Sequence, residues 1–533
     1  MRYISFVCFF LASVTVALSQ DLPAEKVEVV KNFEARLADA VKIRLQPVPE
    51  VKKVSNKSYD YQVEEQILPV EYAAPTIKAA PVKTDPLPEV YFGFLKAGFG
   101  YPISPYLDAG YLFGSTQGSN LLARVTHHSA NDNNVENQRF MDNDLLLKGS
   151  AYTDLGFAVD GQVDISLDNH FFYGYDRVDT TFTTEDVKHR INLVGVGAKL
   201  YNSSETQGNL NYWAGFDVYK LTNNYATKET GLLIDLGLTK WLGDHPLTVK
   251  LGTDLTRLKD TAVQKLNNFF LNPTFSFGTN AVRAKIGGRL ASANEEFSFF
   301  PDVEVLLNLA GGNISVFAGA GGQLQKNNYR ILSDYNPFLV SELSEIRNTH
   351  YFDLFAGVRG SLAGMEFSLQ GGFKPTKDLA LFDVNLEKPW IRFTVLYDTV
   401  DIVYFKGSIK GPVFRNVEVH GSIVQNIYTT EVEDKAWLLP QLQANAGVTY
   451  LGLQQKLRLK AEVFVNDAVP FQEVDFGDEP NLLFDVSLAA DYYLTEHLGL
   501  FVHLNNLAST KYRRWYNYPT YGLNVLGGVT ARF

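Results

Sequence analysis

Nine histidines are scattered along the chain, and His127 and His128 are adjacent. Neighbouring residues on a strand point to opposite sides, so this pair does not make one metal site. The sequence has no Gly-x-Ser-x-Gly, His-Glu-x-x-His or Gly-x-x-x-x-Gly-Lys. A nucleophile elbow, a zinc protease site and a phosphate-binding loop therefore have no carrier. The one cysteine, Cys8, excludes a disulfide framework and a cysteine metal site. The side chains left to act on a solute are charges that alternate with apolar residues. They are Asp160, Asp164 and Asp168; Arg283, Lys285 and Arg289; and Lys456, Arg458 and Lys460, with Asp217 and Glu418 besides. Facing a wet lumen, such groups select solutes or pair with one another, and their mixed signs assign no ion selectivity. No catalytic, cofactor or metal residue is expected, and the chain reads as a non-enzyme.

These charges need strands to hold them. In 157–168, Phe157, Val159, Val163, Ile165 and Leu167 share one face, and Asp160, Gln162, Asp164, Ser166 and Asp168 share the other. The same alternation runs through 282–290, 441–450 and 456–465. After residue 20 no run of about 18 apolar residues offers a helical span. Alternating strands of about ten residues, separated in turn by short turns and longer polar loops, are the pattern of a transmembrane barrel. The short turns include 205–208, 243–245, 311–313 and 495–497. The loops include 130–143, 175–189, 327–350, 430–438 and 466–481. The expected fold is all-β: an antiparallel transmembrane β-barrel of about 22 strands over residues 89–533, with 390–411 as one long strand. A formal charge of −11 without a basic stripe excludes nucleic acid as a partner.

Ahead of the barrel, residues 1–19 read as a secretory signal peptide, with Arg2 before an apolar run and Ala17 and Ser19 before the cut. Residues 20–46 hold a short amphipathic helix, in which Val30, Phe33, Leu37 and Val41 repeat at helical spacing. Residues 47–88 carry seven prolines and form an extended tether, either pinned by its aromatics or loose. The glycine runs at 319–322 and 527–528 are assigned to close packing between strands. Tyr512, Trp515, Tyr516 and Tyr518 are read first as a membrane-interface girdle. Stacking on a sugar or gripping a partner are the alternatives.

The C-terminus carries a resemblance. Residues 521–533 alternate and end in Phe533, as the assembly signal of bacterial outer-membrane barrels does. Just upstream stand Leu504-Asn-Asn-Leu-Ala-Ser-Thr-Lys-Tyr512 and Trp515-Tyr-Asn-Tyr-Pro519. Together these last 35 or so residues resemble the end of TonB-dependent receptors. The resemblance implies a Gram-negative outer-membrane barrel in contact with outer-membrane lipid and the barrel-assembly machinery. Lys26-Val-Glu-Val-Val30 faintly resembles a TonB box. Family members carry a plug of well over a hundred residues, whereas only residues 20–88 lie between the signal peptide and the barrel. The chain therefore reads as a plugless relative. It would be a passive or gated solute transporter, or else a non-transporting barrel subunit or scaffold that binds an envelope partner. A barrel this wide needs closing, by inward loops, by the 47–88 tether or by a partner. The expectation is that the N-terminal segment partly occludes the periplasmic mouth.

Overall fold

A strand in lipid has no water to satisfy its edges, so every edge must meet another strand. The computed structural model satisfies this by closing on itself. It describes residues 91–114, 118–176, 181–206, 208–385, 390–472 and 479–533. The signal peptide, helix and tether expected over 1–88 lie outside the described residues.

Twenty-two antiparallel strands form one closed sheet. They are β1 Gly93–Tyr101, β2 Ser104–Gly114, β3 Asn120–Asn131, β4 Arg139–Tyr152, β5 Phe157–Phe171, β6 Lys188–Asn202, β7 Leu210–Asn223 and β8 Lys228–Leu242. Next come β9 His245–Lys259, β10 Val263–Gly278, β11 Val282–Ala293, β12 (Glu296–Pro301 and Val303–Leu309, interrupted at Asp302), β13 Ile314–Lys326 and β14 Asn348–Leu362. The last are β15 Met365–Asn385, β16 Arg392–Phe414, β17 Val417–Thr430, β18 Leu442–Gly452, β19 Leu457–Asn466, β20 Leu483–Tyr493, β21 Leu498–Asn505 and β22 Asn524–Arg532. Both segments of β12 pair with β11. The long strand expected at 390–411 is β16. The last strand starts at Asn524, so Tyr521 and Leu523 belong to the preceding loop rather than to a strand face.

The seam is β22 against β1, with Gly98 opposite Gly528. A Cβ on Gly528 would stand 2.1 Å from the Ala97 carbonyl oxygen and 2.6 Å from Gly98 Cα. Close approach is thus the reason for this glycine, as expected, whereas Gly321 has open space around it. Gly528→Ala should weaken closure by about 1–3 kcal/mol, the usual scale for forcing extra volume into a packed site. The check is a lower unfolding temperature of the barrel band on a heat-modifiable gel.

The outward faces carry Val194, Val196 and Leu200 on β6, Phe216 and Val218 on β7, and Phe405 and Ile409 on β16, all exposed. A band of this kind belongs in hydrocarbon. Connections at the end bearing the chain's C-terminus are short. Ala363 and Gly364, at φ 52° and 82°, make a two-residue hairpin between Leu362 and Met365. The opposite end carries the long connections 132–138, 172–187, 327–347, 431–441, 467–482 and 506–523. Short turns belong to the periplasmic side and long loops to the exterior.

Candidate functional site: a folded cap over the outer mouth

Midway down the barrel the inner faces are polar, with Asp164, Lys199, Asp217 and Asp235 on β5 to β8. Toward the outer rim they turn apolar. Ile191, Leu221, Leu258 and Leu266 are buried, and Leu193 packs against them. Apolar residues on an inner face need something to cover them. The long loops supply it, since Tyr173, Tyr329, Leu339, Leu438, Val469, Trp515, Tyr516 and Tyr518 join the same cluster, together with Phe393 at the start of β16. The loops thus build a hydrophobic core across the mouth.

The loop 327–347 is the centrepiece. Asn328 caps the short helix α1, Tyr329–Tyr335, its side chain accepting from the Ile331 N–H at 3.2 Å. The Glu229 carboxylate, buried in the wall at β8, takes the helix start. It accepts from the Tyr329 N–H (2.7 Å), the Asn328 side-chain amide (2.8 Å), the Arg330 N–H (3.3 Å) and the Tyr219 hydroxyl (2.9 Å). His189 on β6 makes a second anchor. Its Nδ1 is 3.0 Å from the Pro337 carbonyl, which can only accept, so Nδ1 carries the proton. Nε2 then accepts from the Tyr329 hydroxyl at 3.2 Å. Burial pushes the Tyr329 phenol up to about 12, so it stays a neutral hydroxyl. Beyond the helix, the Val340 N–H donates to the Phe393 carbonyl (2.8 Å) and the Phe393 N–H to the Phe338 carbonyl (3.1 Å). The far end is tied at β10, where the Gln264 amide donates to Leu343 (2.7 Å) and accepts from the Ile346 N–H (2.8 Å).

The loop 506–523 comes in from the β21–β22 side. Phe338 and Tyr518 stack with centroids 3.7 Å apart, and Tyr173 meets Tyr518 edge-on at 4.9 Å. The Tyr518 hydroxyl donates to the Ile391 carbonyl, and the Gln138 amide donates to the Pro519 carbonyl at 2.6 Å. Trp515 packs on Tyr335, Phe382 and Phe393. The Arg514 guanidinium bonds the Tyr335 hydroxyl, while burial still raises that phenol.

These contacts correct the girdle reading. Tyr512, Trp515, Tyr516 and Tyr518 are buried, Tyr516 to 1% exposure, and three of them form the cap core instead of facing lipid. Trp515→Ala should loosen the cap by about 3–5 kcal/mol, the range for deleting a large buried aromatic. Hydrogen exchange at the 329–346 amides checks this, with protection expected to fall there and to hold in β1 to β5.

The FrpB iron transporter from Neisseria meningitidis aligns with a TM-score of 0.67 at 10% identity, covering 84% of this chain and 83% of that one. The fold is that of the TonB-dependent receptors. The copper transporter OprC aligns at TM-score 0.60 and 14% identity over 84% of each chain. A ferric enterobactin receptor from Pseudomonas aeruginosa, PfeA, gives 0.63 and 10% over 83% of this chain and 80% of that one. No family model and no curated protein sequence matches the chain.

The charges singled out from the sequence fall as follows. Asp160, Asp164 and Asp168 share the β5 face opposite the exposed Val159 and Leu167. Arg283, Lys285 and Arg289 lie on the β11 face opposite Val282, Ile286 and Leu290. Lys285 pairs with Asp302, and Arg289 donates to Gln323 at 2.7 Å. Lys460 pairs with Glu462 at 2.8 Å, and Arg458 shares its face of β19. Lys456 is not on the strand; it closes the turn before it. The structure does not gather these charges into one site. His127 and His128 part company: His127 bonds Asn143 at 2.7 Å, and His128 packs between Tyr106 and Phe140. Among the described residues no group of three His, Cys, Asp or Glu could hold a metal ion.

Reading the sequence missed Glu229, His189 and the 327–347 loop as a unit. One signal was available. Ile191 and Leu193 stand beside Val194 and Val196, so β6 is apolar on both faces near its outer end, where a wet lumen would ask for polar residues.

Proposed function

We propose that this outer-membrane barrel carries a solute across the outer membrane without a plug domain, its outer loops acting as the gate. One observation supports the reading: the outer mouth is spanned by a hydrogen-bonded, aromatic-cored cap built on loops. Loops that leave and rejoin a rigid wall are the part of a barrel able to move without unfolding it. The receptor-type fold agrees with transport, and the expected partners are outer-membrane lipid and the barrel-assembly machinery that reads Phe533. The N-terminal segment, residues 20–88, is proposed to meet the periplasmic mouth or an envelope partner.

The closed cap also favours a second reading, a silent barrel that serves as scaffold in an envelope complex. Planar-bilayer recording of the purified full-length chain separates the two. Closed baselines interrupted by openings support the gate. A folded barrel that never opens, and that is recovered with a stoichiometric partner, supports the scaffold.

A further inference from the structure

The ladder between β12 and β13 stops early. It runs from Leu309 opposite Ile314 to Val303 opposite Ala320. Above that point Glu296–Pro301 pairs with β11, and 321–326 pairs with β14, but the two do not pair with each other. The Asp302 N–H donates to the Gly287 carbonyl on β11 at 3.0 Å, so the odd residues of β12 turn their backbone groups toward β13. Pro301 is the first of these beyond the ladder, and it has no N–H to give.

Instead of meeting edge to edge, the two sides overlap. Val316 and Lys326 share one face of β13, and Val316 is exposed on the outside of the barrel. Lys326, however, donates to Asp254 and Thr256, at 2.7 and 3.3 Å, on the inner face of β9. The upper part of β13 has therefore stepped inside the wall of β9 to β12. Glycine allows the step: a Cβ on Gly322 would stand 2.6 Å from the Tyr351 carbonyl oxygen and 2.7 Å from the Phe300 ring. Side chains hold the overlap. Phe300, 1% exposed, is wedged in one cluster with Ala291 and Leu324 and meets Phe352 at 5.2 Å. Asn268 and Asn348 exchange side-chain amide bonds of 3.1 and 2.8 Å. Outside, Phe297 and Phe299 are exposed beside Leu290 and Phe269, an apolar surface that belongs in hydrocarbon.

An overlap parts by sliding, without breaking ladder bonds in lipid. A side opening serves a molecule that is at home in hydrocarbon. A polar solute gains nothing there, whereas each CH₂ of an acyl chain is stabilised. We propose that the β12–β13 seam is a side passage by which a single-chain amphiphile moves between the lumen and the outer leaflet, with Phe300 as its latch. This goes beyond the outer-mouth gate, because the seam works with the cap shut. The test changes Cys8 to Ser and places a bimane label on Gly321→Cys, where a side chain has open space on the lumen face. A label on Lys199→Cys, on the inner face of β6, is the reference. Each full-length chain is held in phosphatidylcholine nanodiscs, and doxyl-stearate is added. The label at 321 should be quenched well before the label at 199. Phe300→Ala should speed quenching at 321 about tenfold or more, since a large buried aromatic is lost, and Phe300→Leu by less, while heat-modifiable gels show the barrels folded. Quenching at 199 as fast as at 321 overturns the proposal, because the stearate then enters by a mouth. So does an absence of quenching at 321, or a rate that folded Phe300→Ala and Phe300→Leu leave unchanged. Conductance plays no part in this readout, so failure here leaves the loop gate standing.

Discussion

Replacing residues 328–346 with a short Gly–Ser turn should turn the chain into a large, steady pore. A barrel's width grows with its strand number, and barrels of 16–18 strands already leave an aqueous channel. Twenty-two strands enclose more. Over the outer mouth, the loop 327–347 supplies a large share of the cap core: Tyr329, Leu332, Leu339, Val340, Leu343 and Ile346. Its removal strips Phe338 from Tyr518 and Tyr335 from Trp515, so the 506–523 loop loses its partners as well. The barrel itself should survive, because β13 and β14 pair over thirteen registered positions from Ile314 to Lys326, outside the excised segment. Bilayer recording should show conductance above that of ordinary porins, and cells carrying the variant should become sensitive to large antibiotics. A trimmed, folded barrel that remains closed would place the block below the cap, in residues 20–88 or in the lumen, and would end the loop-gate reading. Deleting residues 20–88 is the matching experiment for the tether. If conductance and antibiotic sensitivity stay as in the full chain, the N-terminal segment does not occlude the periplasmic mouth.

The barrel was legible in the sequence because lipid imposes a strict code. Each strand must alternate, and Phe157 to Asp168 or Val282 to Leu290 can be sorted by parity alone. Strand ends follow less strictly. The turn claims Lys456, and the loop claims Tyr521, because alternation continues for one to three residues past the last ladder bond. The cap was not legible, and the reason is physical. Its core is assembled from single residues in separate loops, such as Tyr173, Leu339, Leu438, Val469 and Trp515, with no period linking them. Trp515 and Tyr518 have the composition of an interface girdle, and composition cannot tell lipid from the underside of a loop. Glu229 looked like an ordinary polar residue of an alternating strand. Only the arrival of another loop, a hundred residues on in the chain, makes its carboxylate an anchor.

That anchor sets up the second large effect. Glu229→Ala should release the 327–347 loop while leaving the barrel closed around its ladder. The carboxylate is fully buried and gathers donors from Tyr219, Asn328, Tyr329 and Arg330. Alanine leaves those donors with no acceptor in a space that water does not reach. Each unsatisfied buried group costs about 1–3 kcal/mol, so the loss is several kcal/mol, concentrated at one end of one loop. A conservative change separates the parts of the effect. Glu229→Gln keeps one acceptor oxygen but sets an amide donor against the other donors, so it should fall between alanine and the unchanged chain. Two readouts bear on the outcome. Hydrogen exchange should rise at Tyr329 to Val340 and stay low in β8 itself, where Thr230 to Leu242 remain paired with β9. In bilayers, openings should become more frequent by about a hundredfold, the factor that a loss of roughly 2.7 kcal/mol gives to a closed–open equilibrium. The His189–Pro337 bond and the Gln264 ties still hold the middle and far end of the loop. The alanine barrel should therefore flicker, whereas the loop-deleted barrel stays open. If exchange at Tyr329 to Val340 is unchanged in the alanine variant, Glu229 is not what holds the gate, and the aromatic core alone must do so.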